Sequence, residues 1–403
     1  MFKIFHKFNY STFEKKYKDR LDSETIKSLG FHIKPIDQSD IFALYYIPTN
    51  NMINQITKIY TVSNQLNRTY EKLPGVARNQ FLYESIAEEL YHTNQLEGVK
   101  SSRAEIIDSM KHIQLNTKDK TRFNSMIQMY QSLMTENISI PESPKDIRKI
   151  YDKITDGEIK GENKLDGELF RKDVVHVLSH TGTGKVVHRG ILPESKIIKE
   201  IGQLLTFMNT ENSIPSLIKI AIGHYYFGYI HPFYDGNGRT SRFISGLYLQ
   251  EVLGKISALS ISRGANKNIR KYSLAFDRTN SAINRGEMNY FIETFLEILY
   301  QALQEMNNEL KEKQYLLKSF HHKLEKESKN ITEQEKRVLF ILAQHYYFDY
   351  SEGVTVKELA RIIELSEITI RKTLKGLLER EYIKKIGIRP AYYSLHERYL
   401  ETE

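Results

Sequence analysis

The sequence predicts a mainly α fold: a helical core bearing one small β-hairpin, then a smaller α+β module ending in a β wing. Three observations support it. The segment Ile214–Ile230 carries a single charge, Lys219, and a helix apolar on nearly every side belongs at the centre of a domain. Upstream, Phe81, Leu82, Ile86, Leu90 and Leu96 recur at near-helical spacing. Towards the C-terminus, Thr332-x-x-Glu335 and Thr355-x-x-Glu358 both read as capping boxes that open helices, ahead of two short strand patterns.

A chain of 403 residues with 40% hydrophobic content can build two or three domains with true cores. It contains no cysteine, which excludes a disulfide framework, a thiolate metal site and a cysteine nucleophile. Lys and Arg number 58 against 50 Asp and Glu, a formal charge of +8. This mild basicity favours acidic partners such as nucleotides or nucleic acid. Met1 to Tyr10 carries Lys3, His6 and Lys7 and lacks the uninterrupted apolar core of a signal peptide. Ile214–Ile230 is interrupted by Pro215, Lys219, Gly223, His224 and Gly228, so it reads as soluble core rather than a membrane span. The expectation is a cytoplasmic chain with no membrane partner.

Taken in order, residues 1–75 are polar and tyrosine-rich and read as an N-terminal helical appendage covering a core that spans 76–325. A helix is expected from Gln80 to Glu97, with Gly98 as its C-cap. Its end breaks a rule. The carboxylate of Glu97 sits in the last turn, where it opposes the helix dipole, and such local conflicts sometimes mark function. Residues 101–160 read as helices, and Ser143-Pro144 as an N-cap followed by Pro at the first helical position. Val174–Leu178 and Lys185–Arg189 flank the Gly-rich turn His180-Thr181-Gly182-Thr183-Gly184 and read as a hairpin. Its histidines, His176, His180 and His188, are better taken as exposed or stacked than as metal ligands. Arg239 to Val252 reads as a second core helix with Gly254 as terminator. Ser262–Tyr272 is a polar segment before another amphipathic helix. Met288 to about Lys329 is one long helical pattern with a break near Phe320. Its charged face is solvated or, alternatively, a contact in a homodimer.

Between the two core helices lies His231-Pro232-Phe233-Tyr234-Asp235-Gly236-Asn237-Gly238-Arg239-Thr240-Ser241-Arg242. Gly236 and Gly238 let the backbone bend tightly and approach a ligand. The loop feeds a helix N-terminus, whose unpaired N–H groups and dipole favour anions, so it is a phosphate cradle. Arg239 and Arg242 are neighbours on one helix face, and two guanidinium groups suit a polyphosphate. Asp235 adds a carboxylate suited to Mg²⁺ shared with substrate oxygens. His231 can serve as a general base. These parts suit phosphoryl or nucleotidyl transfer to a group that must lose a proton.

The stretch resembles the signature of the Fic family, His-x-Phe-x-(Asp/Glu)-Gly-Asn-Gly-Arg-x-x-Arg, at every defining position. The resemblance implies a Fic helical core that transfers AMP from ATP to a hydroxyl side chain of a protein, releasing pyrophosphate. It implies that His231 deprotonates the target hydroxyl and Asp235 binds Mg²⁺. It also implies that amides around Gly236–Gly238 hold phosphates, that Asn237 shapes the anion hole, and that Arg239 and Arg242 contact the outer phosphates. Phe233 is then buried and structural. The phosphorylating Doc branch departs from Gly-Asn-Gly, whereas this chain does not. Thr93-Asn94-Gln95-Leu96-Glu97-Gly98 resembles the family's inhibitory motif (Ser/Thr)-x-x-x-Glu-(Gly/Asn), which implies a salt bridge from Glu97 to Arg242 that blocks the γ-phosphate. Gly167-Glu168-Leu169-Phe170-Arg171 resembles a Gly-x-x-x-Arg feature upstream of the family's flap, which implies that the hairpin within 174–190 holds the target protein, or the chain itself, by strand addition. The region Ser262–Tyr272 is where members line the adenine and ribose pocket, and Asn268 and Tyr272 are the candidates.

Residues 331–403 read as a separate module. Val356–Ile363, the turn Glu364-Leu365-Ser366, a helix from Glu367 to about Arg380, and strands Ile383–Ile388 and Ala391–Leu395 resemble a winged helix-turn-helix domain. Positive charge gathers on its second helix and wing, at Arg371, Lys372, Lys375, Lys384 and Lys385, where DNA phosphates would lie. Winged helices also contact proteins. Two function classes therefore stay open: an ATP- and Mg²⁺-dependent protein adenylyltransferase with a regulatory module, and a DNA-binding regulator whose core senses nucleotide. A third keeps the fold but uses another nucleotide donor or removes AMP.

Overall fold

A computed structural model describes residues 10–36, 38–114, 122–135, 138–178, 186–327, 330–348 and 353–401. The chain is mainly helical. It runs α1 (Tyr10–Leu21), β1 (Lys27–Ile33), β2 (Phe42–Tyr46), α2 (Asn50–Glu71), α3 (Gly75–Leu96), α4 (Arg103–Gln114), α5 (Asn124–Thr135), α6 (Pro144–Ile154), β3 (His176–Leu178) and β4 (Val186–Arg189). It continues through α7 (Glu194–Asn209), α8 (Ser216–Ile230), α9 (Asn237–Leu253), α10 (Ile261–Lys267), α11 (Ile269–Thr279) and α12 (Asn289–Lys326). It ends with α13 (Glu333–Phe348), β5 (Val354–Thr355), α14 (Val356–Ile363), α15 (Glu367–Glu379), β6 (Ile383–Ile386), β7 (Tyr392–Leu395) and α16 (Glu397–Glu401). Among the described residues no helix is long and apolar enough to cross a membrane.

Two compact units divide the chain: Met1–Asn64 with Ile86–Gln304, and Gln65–Ser85 with Glu305–Glu403. In the first, α8 is the centre. Leu217, Ile220, Ala221, Ile222, Tyr225 and Ile230 are all buried, as its nearly uncharged sequence requires. α9 packs along α8, and α7 and α6 flank the pair. α6 begins as expected, with Pro144 at N1 and the Asp146 carboxylate accepting from the Ser143 N–H at 3.1 Å. Its buried stripe is Ile147, Ile150, Tyr151 and Ile154.

The N-terminal appendage differs from the helical expectation. Helices α1 and α2 are present, but between them Lys27–Ile33 and Phe42–Tyr46 form an antiparallel pair, β1 with β2. Leu29, Phe31 and Ile33 are buried while Ser28, Gly30 and His32 face out, a period of two that suits a half-buried strand. Phe31 stacks on Tyr226 of α8 with ring centroids 4.2 Å apart.

In the second unit both predicted capping boxes form. Thr332 and Glu335 close the start of α13, and Thr355 and Glu358 that of α14. The strands pair in the order β5-β7-β6. α12 continues through Phe320 without the expected break. That ring is buried against Tyr347 and Tyr399, so the helix is held by packing where its sequence turns polar. Thr355→Ala removes one cap and should cost about 1 kcal/mol, so amide exchange in the first turn of α14 should speed up about fivefold.

Candidate functional site

The loop joining α8 to α9 is fixed by its own side chains. His231 ends α8 in a left-handed conformation, φ 51° and ψ 62°. Such a conformation is uncommon outside glycine and persists only where neighbours hold it. The holder is Arg171, fully buried, whose Nε donates to the His231 carbonyl at 2.9 Å. Its Nη1 and Nη2 donate to the carbonyls of Asp173 and Ile191, and its N–H to that of Pro232. Phe233 is buried and stacks on Tyr151 with centroids 3.7 Å apart. Asn237 closes the turn: its Oδ1 accepts from the Phe233 N–H at 3.0 Å and its Nδ2 donates to the Phe233 carbonyl at 2.7 Å. Gly236 then takes φ 78° and starts α9.

His231 Nδ1 lies 3.3 Å from the Gly228 carbonyl. That contact assigns the proton to Nδ1 and leaves Nε2 as the acceptor. Burial, with Arg171 nearby, pushes the imidazole down to about 4 against the raising pull of the Gly228 carbonyl and of Glu97 and Asp235. Asp235 is 42% exposed and its carboxylate accepts from the Gly236 N–H. Arg239 and Arg242 are only 1% and 2% exposed.

Glu97 lies at the cradle. The C-terminal turn of α3 closes with the Val99 N–H on the Asn94 carbonyl at 2.9 Å, Gly98 being left-handed. Arg242 Nε donates to Thr93 Oγ1 at 2.8 Å, and Nη2 to Glu97 Oε1 at 2.8 Å and the Thr93 carbonyl at 3.2 Å. A Cβ on Gly238 would lie 2.0 Å from Glu97 Oε1, so the carboxylate rests against the bare backbone of the cradle. Burial pushes the Glu97 carboxyl up, but the Arg242 guanidinium outweighs it and holds the group below the usual carboxylate range. The bridge is therefore intact at neutral pH and lost as pH falls through that depressed value.

Tyr272 joins this network, and Asn268 stands one helical turn before it. Asn268 is half-buried, and its Nδ2 donates to the Gly264 carbonyl at 3.1 Å. Tyr272 is half-buried, with its hydroxyl 2.6 Å from His224 Nε2 and also bonded to Arg242. The strands β3 and β4 pair with a register shift between Val177 and Leu178. The turn residues His180 to Lys185 lie outside the described residues. His188 Nε2 contacts the Tyr229 carbonyl at 2.5 Å, and no group of three or more metal-binding side chains occurs among the described residues.

In the second unit, Arg371 pairs with Glu367 at 3.0 Å, Lys375 with Glu379 at 3.9 Å, and Lys384 with Glu397. Lys372, Lys385 and Arg389 are exposed. The positive face is thus weaker than its residue count suggests.

Sequence reasoning missed a platform beneath the loop. Tyr151, Thr155 and Glu158 stand four and three residues apart at the end of α6 and the turn after it. Tyr151 stacks on Phe233, and a Cβ on Gly236 would lie 2.7 Å from Thr155 Cγ2. Glu158 pairs with Arg239. It also missed His224, whose Nδ1 lies 2.9 Å from Ser245 Oγ. Its burial was foreseeable, but its partners lie far along the chain.

The loop and most of the two packed helices that it joins lie within residues 141–249, which match the Fic/DOC family. The chain is similar to a Fic family protein from Desulfovibrio desulfuricans, at 17% identity and a TM-score of 0.50 over 87% of this chain and 97% of that one, a likeness that shows the fold. It is also similar to a Fic domain containing signaling protein from Bacteroides thetaiotaomicron (17% identity, TM-score 0.43, 65% of this chain and 97% of that one). A third likeness is to Fic-1 from C. elegans (16% identity, TM-score 0.41, 64% of this chain and 73% of that one).

With its folded value depressed to about 4, His231 stays neutral down to mildly acidic pH. A ¹⁵N titration by NMR should show no charging of its Nε2 between about pH 5.5 and 8, unlike an ordinary histidine.

Proposed function

We propose that this protein transfers AMP from ATP to a hydroxyl side chain of a protein target or of itself, and that Glu97 restrains it in cis. Fic domains often carry this activity. The observation that carries the reading is the pairing, in one short loop, of an imidazole whose Nε2 is left to accept a proton with a glycine turn against which the Arg242-bound Glu97 carboxylate rests. In the reaction, the target oxygen bonds to the α-phosphorus, its proton passes to His231 Nε2, and the bond from that phosphorus to the bridging oxygen breaks to release pyrophosphate. Gly236–Gly238 bind phosphate oxygens, Asn237 shapes the cradle, and Arg239 and Arg242 take the outer phosphates. Asp235, partly exposed at the cradle's edge and a hard oxygen donor, fits Mg²⁺, which when bound neutralises phosphate charge. The target lies along the 174–190 hairpin by strand addition. Asn268 and Tyr272 border the base.

Glu97 occupies the guanidinium edge that a γ-phosphate needs, so parent protein should transfer AMP poorly. With α-labelled ATP and Mg²⁺, Glu97→Gly should label protein at least about tenfold more than the parent, and His231→Ala in that background should abolish labelling. Equal labelling with and without Glu97 would sink the restraint. Label from the γ-phosphate would make the protein a kinase, and loss of AMP from a premodified target would make it a hydrolase.

Residues 331–403 are proposed to be a winged-helix module that binds DNA, or alternatively a protein, and regulates the core. The exposed Lys372, Lys385 and Arg389 favour the nucleic-acid reading, while Arg371, Lys375 and Lys384 must first exchange an acidic neighbour for a phosphate. Binding of the full chain to a duplex should fall at least about tenfold between 50 and 200 mM salt, and Lys385→Glu should weaken it further. Binding that ignores both salt and this charge reversal would exclude DNA as the partner.

A further inference from the structure

Arg239 and Arg242 present one chemistry in two states. A guanidinium grips an oxyanion side-on, through Nε–H and Nη2–H together. On Arg242 that edge is taken by Thr93 and Glu97. On Arg239 it is open. Its Nε is buried and has no hydrogen-bond partner among the described residues. Its Nη2 stands 4.0 Å from Asp235 Oδ1, beyond hydrogen-bond reach, and 3.7 Å from where a Cβ on Gly236 would lie. Nη1, on the far side of the group, is held by Glu158 Oε2. A buried donor without an acceptor is costly, and it points to a ligand that supplies one.

We infer that Glu158 is a positioning residue of the phosphate site: it clamps Arg239 by Nη1 and so keeps the side-on edge facing the Asp235–Gly236 side of the cradle for a phosphate oxygen. The inference rests on the nucleotide reading above. The clamp is part of the platform, since Tyr151 and Thr155 from the same stretch already hold Phe233 and Gly236. Without the Glu158 charge, Arg239 would repel Arg242 one turn along α9 and could turn its edge onto Asp235 instead. Glu158 thereby differs from Glu97. One carboxylate leaves the binding edge of its arginine open, and the other fills it.

The test is a binding cycle in the Glu97→Gly background, with Mg²⁺ held constant and α,β-methylene ATP, which cannot donate AMP, as the probe. Glu158→Gln should raise Kd about tenfold or more, and Glu158→Asp less. In an Arg239→Ala background Glu158→Gln should change Kd no further, because the residue acts only through that guanidinium. A purely structural role would not produce this loss of effect. Unchanged Kd in Glu158→Gln, tighter binding, or equal effects with and without Arg239 would each overturn the inference; tighter binding would mark Glu158 as a competitor of phosphate. Should Glu158→Gln fail to fold, the cycle is run with Glu158→Asp on the same criteria. A background protein that binds no probe at all refutes the nucleotide reading itself, which a defect confined to the Glu158 variants does not.

Discussion

Two positive charges one helical turn apart, both nearly excluded from water, are the constraint around which the first unit is built. Arg239 and Arg242 cannot be buried together unless negative groups come to them, because desolvation and mutual repulsion add. Glu97 answers one from the end of α3, and Glu158 the other from the turn after α6. The need for both explains why distant parts of the chain, separated by 145 and 81 residues, converge on α9. Glu97 is kept ionised by Arg242 and rests against Gly238 in the first turn of α9, an end of a helix where an anion is favoured.

His231 and Arg171 form the second fixed point. A left-handed, non-glycine residue at the end of a buried helix is a local cost. Arg171 offsets it by saturating the carbonyls around it, and so fixes the direction in which the imidazole leaves the backbone. The same burial keeps the imidazole neutral, so positioning and protonation state have a common origin.

The loop was legible because its chemistry is local. Glycine spacing, two arginines at i and i+3, and a histidine after an apolar run all lie within reach of short-range rules. Glu97 was legible through its conflict with the helix dipole. Arg171 was noticed only as a motif, since its partners are carbonyls some twenty and sixty residues on. Glu158 left no signal, because an acid in a turn looks the same whether it faces water or a buried guanidinium. The β1–β2 pair was readable in principle from the alternation of Leu29, Phe31 and Ile33, but the surrounding tyrosines and lysines obscured it. In the second unit the capping boxes placed α13 and α14 well, whereas the pairing of Arg371, Lys375 and Lys384 with acids depends on rotamers that no linear pattern records.

The contact between the Glu97 carboxylate and Gly238 has a kinetic and thermodynamic corollary. An anion attached to the same chain behaves like a ligand present at a fixed local concentration, on the order of millimolar for a short tether. On the proposed nucleotide reading, an incoming phosphate group would have to outcompete that resident, so dilute or weakly held anions would leave it undisturbed. Whatever loosens the last turn of α3 acts as a dilution of the resident, without touching the cradle itself.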